Sequence, residues 1–228
     1  MYIFHGENTP QSRIAFTQLL TQLRADGQEI QRLEPKTLTV PQIQEALGTT
    51  SLFGSTQVLV IEGVHSLPVS KRKNELIEAL GKAETPVVLW ESRELTKTML
   101  KAFPQAKVQN FPIPKLMFSW LDSLIGNPTP IQRKKMLELF LELVKTDDAE
   151  FCFAMLLRQV RLLLEVSETN GSGMSPFVAQ KLIRQIKTFT QPQLLKIHHQ
   201  LFEMEVHQKT SKTPFSLEQE LALLLATM

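Results

Sequence analysis

The run Val58-Leu59-Val60-Ile61 constrains the fold more than any other stretch of the chain. Four consecutive apolar residues, without the polar alternation of a half-exposed strand, have to be covered on both faces. Parallel strands meet that demand, because their crossover connections bring helices to each face of the sheet. Similar apolar runs lie at Tyr2–His5 and Pro86–Trp90, with weaker ones near Glu29–Leu33 and Ala106–Phe111. Helical patterns separate them at Pro10–Ala25, Pro41–Leu47, Lys71–Leu80 and Leu95–Phe103. Thr9-Pro10 reads as a helix start, with Thr9 as N-cap and Pro10 at the first position, where no amide partner is needed. The first half is predicted to be a parallel α/β domain.

The character changes near Phe111. Pro112 and Pro114 mark a short connector, and everything beyond reads as helix. Thr129-Pro130 opens one helix, and Asp147 with Glu150 reads as a capping box opening a second, which runs to about Glu168. Asn170-Gly171-Ser172-Gly173 breaks it; Ser175-Pro176 and Gln191-Pro192 start two more, and Pro214–Met228 forms the last. Val178, Leu182, Ile186 and Phe189 recur at helical spacing, which predicts one buried stripe. The expected architecture is α/β followed by all-α, with domains at 1–112 and 113–228.

The segment after the first apolar run, Gly6 to Arg13, reads GENTPQSR and stands where a P-loop ATPase carries GxxxxGK[ST]. A working loop needs glycine amides and a lysine to wrap the phosphates. Here the second glycine and the lysine are missing, and Pro10 removes an amide. The expectation is a degenerate AAA+/P-loop-like scaffold with no nucleotide cofactor. Glu62, at the end of the Val58–Ile61 strand, falls where an ATPase places its magnesium-binding carboxylate. Without a phosphate-binding lysine it has little to polarise, and a loop or cap carboxylate is the expected role.

Other catalytic constellations fail on spacing. His199, Glu203 and His207 share a helix face, but i to i+8 spans about 12 Å of helix, too far for one metal ion, so a solvated polar face is expected. Cys152 lies within FCFAMLL, the setting of a small buried core residue. As the chain's one cysteine it allows no intrachain disulfide, which fits a reducing compartment. No GxSxG elbow, signal-peptide core or membrane-spanning apolar run occurs, and a cytoplasmic protein is expected. The net charge of +2 permits contact with nucleic acid without marking it. Lys181, Arg184 and Lys187 form a stripe opposite the Val178–Phe189 face, and Arg158 and Arg161 lie together on another helix, with Glu165 in reach of Arg161. Each set reads as a solvated face, or else as a subunit interface or weak steering of DNA phosphates.

Leu52-Phe53 precedes the Val58–Ile61 strand. Such a pair is most often core. Thr49-Thr50-Ser51 and Gly54-Ser55-Thr56 surround it with turn-forming residues, however, which allows exposure at a loop tip. Adjacent large apolar side chains on a polar rim make good anchors for a partner's hydrophobic pocket.

Taken in order, YIFHGEN, SLFGSTQVLVIEG, VVLWESRELTKTMLKAF, MLLRQVRLLLEV, SPFVAQKLIRQIKTFTQPQLLKIHHQLFEMEVHQKTSK and SLEQELALLL resemble the delta subunit of the bacterial DNA polymerase III clamp loader. The series covers most of the chain and follows the family best in the helical half. The resemblance implies that Leu52 and Phe53 are the wedge that enters a pocket on the sliding clamp (beta) and favours its opening. It implies a helical collar that packs beside the ATPase (tau/gamma) and delta-prime subunits, and primed DNA reached through the complex. It implies no hydrolysis by this chain, whose enzymatic connection is membership of a DNA polymerase holoenzyme. One departure stands out: family members usually carry a small helical lid before the collar. Here Phe111-Pro112-Ile113-Pro114 leads straight to MFSWLDSLIGNPTP, which looks like the collar's first helix. The other readings are a degenerate P-loop protein that still holds a nucleotide and a DNA-binding or regulatory adaptor using Lys181, Arg184 and Lys187.

Overall fold

A computed structural model describes residues 1–48 and 57–228. The described residues divide into two compact units, Met1–Ile113 and Pro114–Met228. The first unit alternates strand and helix: β1 (Tyr2–His5), α1 (Thr9–Ala25), β2 (Glu29–Leu33), α2 (Val40–Gly48), β3 (Gln57–Glu62), α3 (Lys71–Gly81), β4 (Val87–Glu91), the single turn α4 (Lys97–Leu100) and β5 (Lys107–Asn110). A short 3-10 turn at Val64–Ser66 follows β3. The strands form one parallel sheet in the order β2-β3-β4-β1-β5.

Alternation along the strands sorts the core into two layers, because successive side chains point to opposite faces. Ile3, Leu59, Ile61, Val87 and Leu89 face one layer, which also holds Ile43 of α2 and Leu76 and Leu80 of α3. Phe4, Val58, Val60 and Val88 face the other, with Phe16 and Leu20 of α1. The central strands are thus covered on both faces, as the apolar run at Val58–Ile61 requires. Each fully buried large side chain contributes roughly 1.5–3 kcal/mol. The edge strand β5 is exposed along its whole length and adds little to either layer.

Two details of this unit differ from the sequence reading. The N-cap of α1 is Asn8, whose Oδ1 accepts the Gln11 amide at 3.3 Å. Thr9 and Pro10 occupy the first turn, where the missing proline N–H still costs nothing because the first four amides of a helix have no internal partner. The helix expected over Leu95–Phe103 shrinks to one turn. Leu95 donates its amide to His5 Nδ1 at 3.2 Å, and Leu95 and Phe103 are buried from outside the helix.

The second unit consists of α5 (Lys115–Ser123), α6 (Pro130–Leu143), α7 (Ala149–Thr169), α8 (Pro176–Ile186), α9 (Gln191–Thr210) and α10 (Leu217–Thr227). Four residues, 111–114, separate β5 from α5. α7 is the central helix, packed against α5, α8, α9 and α10. Trp120 of α5 and Phe140 of α6 meet at 5.4 Å between ring centroids and are fully buried. Three helices start with full capping boxes: Thr129/Gln132, Thr190/Gln193 and Ser216/Gln219. The box expected from Asp147 and Glu150 is absent; the N-cap of α7 is Asp148, without a side-chain cap bond, while Asp147 accepts from the Thr146 hydroxyl. Asn170 ends α7 in the left-handed region at φ 50°, followed by Gly171 at φ 80°. The buried face of α8 is turned from the expected stripe: Leu182 is buried with Ile183 and Ile186 beside it, whereas Val178 is exposed.

Candidate functional site

His5, Glu62 and Glu91 end β1, β3 and β4, so the three residues gather at the carboxyl edge of the sheet. Ligands of open α/β sheets bind at this edge. The degenerate phosphate loop lies here, and four of its amides are already engaged. Gly6 N–H donates to the Arg93 carbonyl at 3.1 Å and Asn8 N–H to the Phe111 carbonyl at 2.9 Å. Gln11 N–H goes to Asn8 Oδ1, and Ser12 N–H to the Asn8 carbonyl at 3.1 Å. Gly6 adopts φ 133°, and a Cβ there would lie 2.2 Å from the Phe111 carbonyl oxygen. The main chain of Phe111 therefore occupies the space beside this glycine. Its ring stacks on Phe4 at 6.3 Å.

Glu62 is not the loop or cap carboxylate expected from the sequence. It pairs with two arginines, Arg13 Nη1 at 2.5 Å and Arg32 Nη1 at 2.6 Å. Arg13 closes the GENTPQSR segment, and its guanidinium also lies 3.7 Å from the centroid of the Trp90 ring. Trp90 in turn donates its indole N–H to Ser12 Oγ at 3.1 Å. The carboxylate that would face a metal–phosphate in an ATPase is thus neutralised from within the chain. Sequence reasoning missed this trio. The available signal was an arginine at the last position of the loop motif together with an aromatic residue near the end of β4.

A second polar cluster sits deeper at the same edge. Glu91 is fully buried, accepting the His65 amide at 2.7 Å and the Ser66 hydroxyl at 3.3 Å. The His65 carbonyl accepts from Lys73 Nζ and Arg93 Nη2, each at 2.5 Å, and Lys73 also reaches the Leu67 carbonyl at 2.7 Å. Burial pushes the Glu91 carboxyl up, opposed by these hydrogen bonds and by the cations of Arg93 and Lys73. Burial lowers the Lys73 ammonium, and so does its neighbour Arg93. His65 is lowered to about 4, first by burial and then by Lys73, Arg93 and His5. His5 is lowered as well, by burial. Both imidazoles are buried with Nε2 unpartnered. The cluster pins the turn after β3 to the end of β4, a positioning role for which the sequence offered no motif.

The other predicted residues fare differently. Leu52 and Phe53 lie outside the described residues. Arg158 and Arg161 are exposed on α7. Lys181 and Arg184 are exposed on α8, and Lys187 is its C-cap. Lys181 pairs with Asp122 of α5 at 2.8 Å and lies 5.9 Å from the Phe118 ring centroid. His199 and Glu203 meet at 3.5 Å on an exposed face, but His207 leaves that face and joins Glu220 of α10 at 3.4 Å. Among the described residues no three His, Cys, Asp or Glu side chains are placed to share a metal ion. Cys152 is fully buried, its thiol pushed up to about 12 by burial and by Asp147. Among the described residues no helix is long and apolar enough to cross a membrane.

Residues 129–226 match the family model described as DNA polymerase III delta subunit, C-terminal domain. The helical unit is thus similar to the C-terminal domain of that family over residues 129–226. No curated protein matches it in sequence. Among solved structures, the Bacillus subtilis DNA clamp loader delta protein YqeN aligns over 99% of this chain and 94% of its own, at 14% identity and a TM-score of 0.46. The assignment rests on the C-terminal match.

Proposed function

We propose that this chain is a non-hydrolysing delta-like subunit of a DNA polymerase III clamp loader, which binds the sliding clamp through Leu52 and Phe53 and favours its open form. The observation that carries the reading is the match of residues 129–226 to the delta C-terminal domain. The phosphate loop supports it, since amides that would hold a nucleotide serve the main chain at Arg93 and Phe111. Energy for the cycle then comes from partner ATPase subunits, with delta-prime and primed DNA in the same assembly. The wedge works by binding the open ring better than the closed one; equal affinity for both would shift nothing. The helical unit serves as the collar, and Arg158, Arg161, Lys181, Arg184 and Lys187 are its candidate contacts to neighbouring subunits or DNA.

The test is a titration of the host's sliding clamp against the chain and against a folded Leu52→Ala/Phe53→Ala variant. Binding by the wild type and a loss of roughly 2 kcal/mol or more in the variant, as for hot-spot anchors, is expected. Absence of clamp binding by the folded wild type overturns the reading.

A further inference from the structure

The helical unit carries a charge asymmetry that lies apart from the clamp-binding wedge and includes three of the collar's candidate contacts, Lys181, Arg184 and Lys187. Residues 169–202 contain no Asp or Glu but four Lys and Arg: Lys181, Arg184, Lys187 and Lys196. Within this stretch, α8 and the α5–α6 connection enclose a groove of about 470 Å³, lined among others by Ile125, Phe177, Lys181, Arg184 and Thr188. Phe177, in the first turn of α8, is 79% exposed. Asp122 also lines the groove, and its charge is matched by Lys181 at 2.8 Å. Arg184 and Lys187 make no ion pair among the described residues.

We propose that this α5–α8 groove docks an acidic peptide segment of a partner protein that carries a large apolar side chain beside its carboxylates. Charge complementarity selects the acidic partner, since the groove's own carboxylate is matched and Arg184 is left to pair across the interface. The apolar anchor follows from Phe177: an aromatic ring exposed beside a concave surface gains by burying a second hydrophobe, and a volume of this size holds a few side chains. Nucleic acid is the weaker fit. Sequence-tolerant strand binding uses successive aromatic platforms along a basic track, whereas here one strongly exposed ring, Phe177, lines an open groove.

The probe is a short fluorescein-labelled peptide of aspartates flanking a Trp-Leu pair, titrated by anisotropy against the full chain at low and physiological salt. Saturable binding is expected. It should weaken about tenfold in Arg184→Glu and in Phe177→Ala, and be lost with a peptide in which asparagine replaces aspartate. Both substituted side chains are exposed, so unchanged thermal midpoints are the folding control. No saturable binding, or equal binding by both variants, overturns the proposal. So does a thymidine oligonucleotide of equal charge that binds as tightly and ignores Phe177→Ala. A wild-type dimer in sedimentation that Phe177→Ala dissociates would assign the groove to a second copy instead.

Discussion

Glu62 offers a direct test of what holds the carboxyl edge of the sheet together. Its carboxylate accepts from Arg13 at 2.5 Å and Arg32 at 2.6 Å, with 29% of the Glu62 side chain exposed and 43% and 55% of the arginines. Partial exposure screens both pairs, so each contributes about 0.5–1 kcal/mol rather than the value of a buried pair. Glu62→Gln also leaves two guanidiniums near each other and near the Phe16 ring, to which they lie at 5.4 and 5.9 Å. The expected total loss is about 1.5 kcal/mol. The chain's two tryptophans fall one in each unit, Trp90 and Trp120. In a Trp120→Phe background, Trp90 fluorescence therefore follows the α/β unit in urea. With a slope of about 2 kcal/mol/M, the midpoint should fall by roughly 0.7 M. A double-mutant cycle with Arg13→Ala should return a coupling of about 0.5–1 kcal/mol. A midpoint shift below about 0.2 M with no coupling would refute the reasoning, because Glu62 would then be a solvated carboxylate.

Two further outcomes follow from the same edge of the sheet. His65 has a folded pKa of about 4 against 6.5 unfolded, so the unfolded chain binds the proton first and stability falls as pH drops from 6.5 towards 4. The loss should be about 2.5 kcal/mol by pH 4.5; Glu91, pushed up by burial, works in the opposite direction, and the difference between wild type and His65→Gln in urea titrations at both pH values isolates the histidine. Gly6→Ala puts a methyl 2.2 Å from the Phe111 carbonyl oxygen at φ 133°, and should cost about 3 kcal/mol or more, read as a lowered midpoint of the α/β unit; a neutral substitution would show that Phe111 yields freely.

Much of the architecture was legible because it rests on periodicity. The unbroken run Val58–Ile61 required cover on both faces, and Phe16 and Leu20 on one side with Leu76 and Leu80 on the other provide it. The cap at Thr129, where a hydroxyl precedes proline, was legible. The cap at α1 moved to Asn8 because the asparagine carbonyl reaches the Gln11 amide, a competition that residue preferences do not resolve. The departure from the phosphate-loop motif was readable from the residues GENTPQSR lacks. The surroundings of Glu62 were not, since Arg32, Glu62 and Trp90 are brought together by the β2–β3 and β3–β4 pairings, with Arg13 reaching in from α1, and no local pattern announces it. The His5, His65, Lys73 and Glu91 cluster was invisible for the same reason.

The contact between Gly6 and Phe111 also bears on reversibility. β5 buries no side chain, yet it pairs with β1 along its whole length, and Lys107 N–H to the Met1 carbonyl, Phe111 N–H to the His5 carbonyl and Asn8 N–H to the Phe111 carbonyl extend that hold at its ends. The GENTPQSR loop thereby adds a clasp to the end of an edge strand held otherwise by its ladder alone. Writing glycine at Gln11, lysine at Ser12 and serine or threonine at Arg13 would complete the motif on paper and leave this clasp shut. Restoring those residues would therefore not by itself move the Phe111 main chain from beside Gly6.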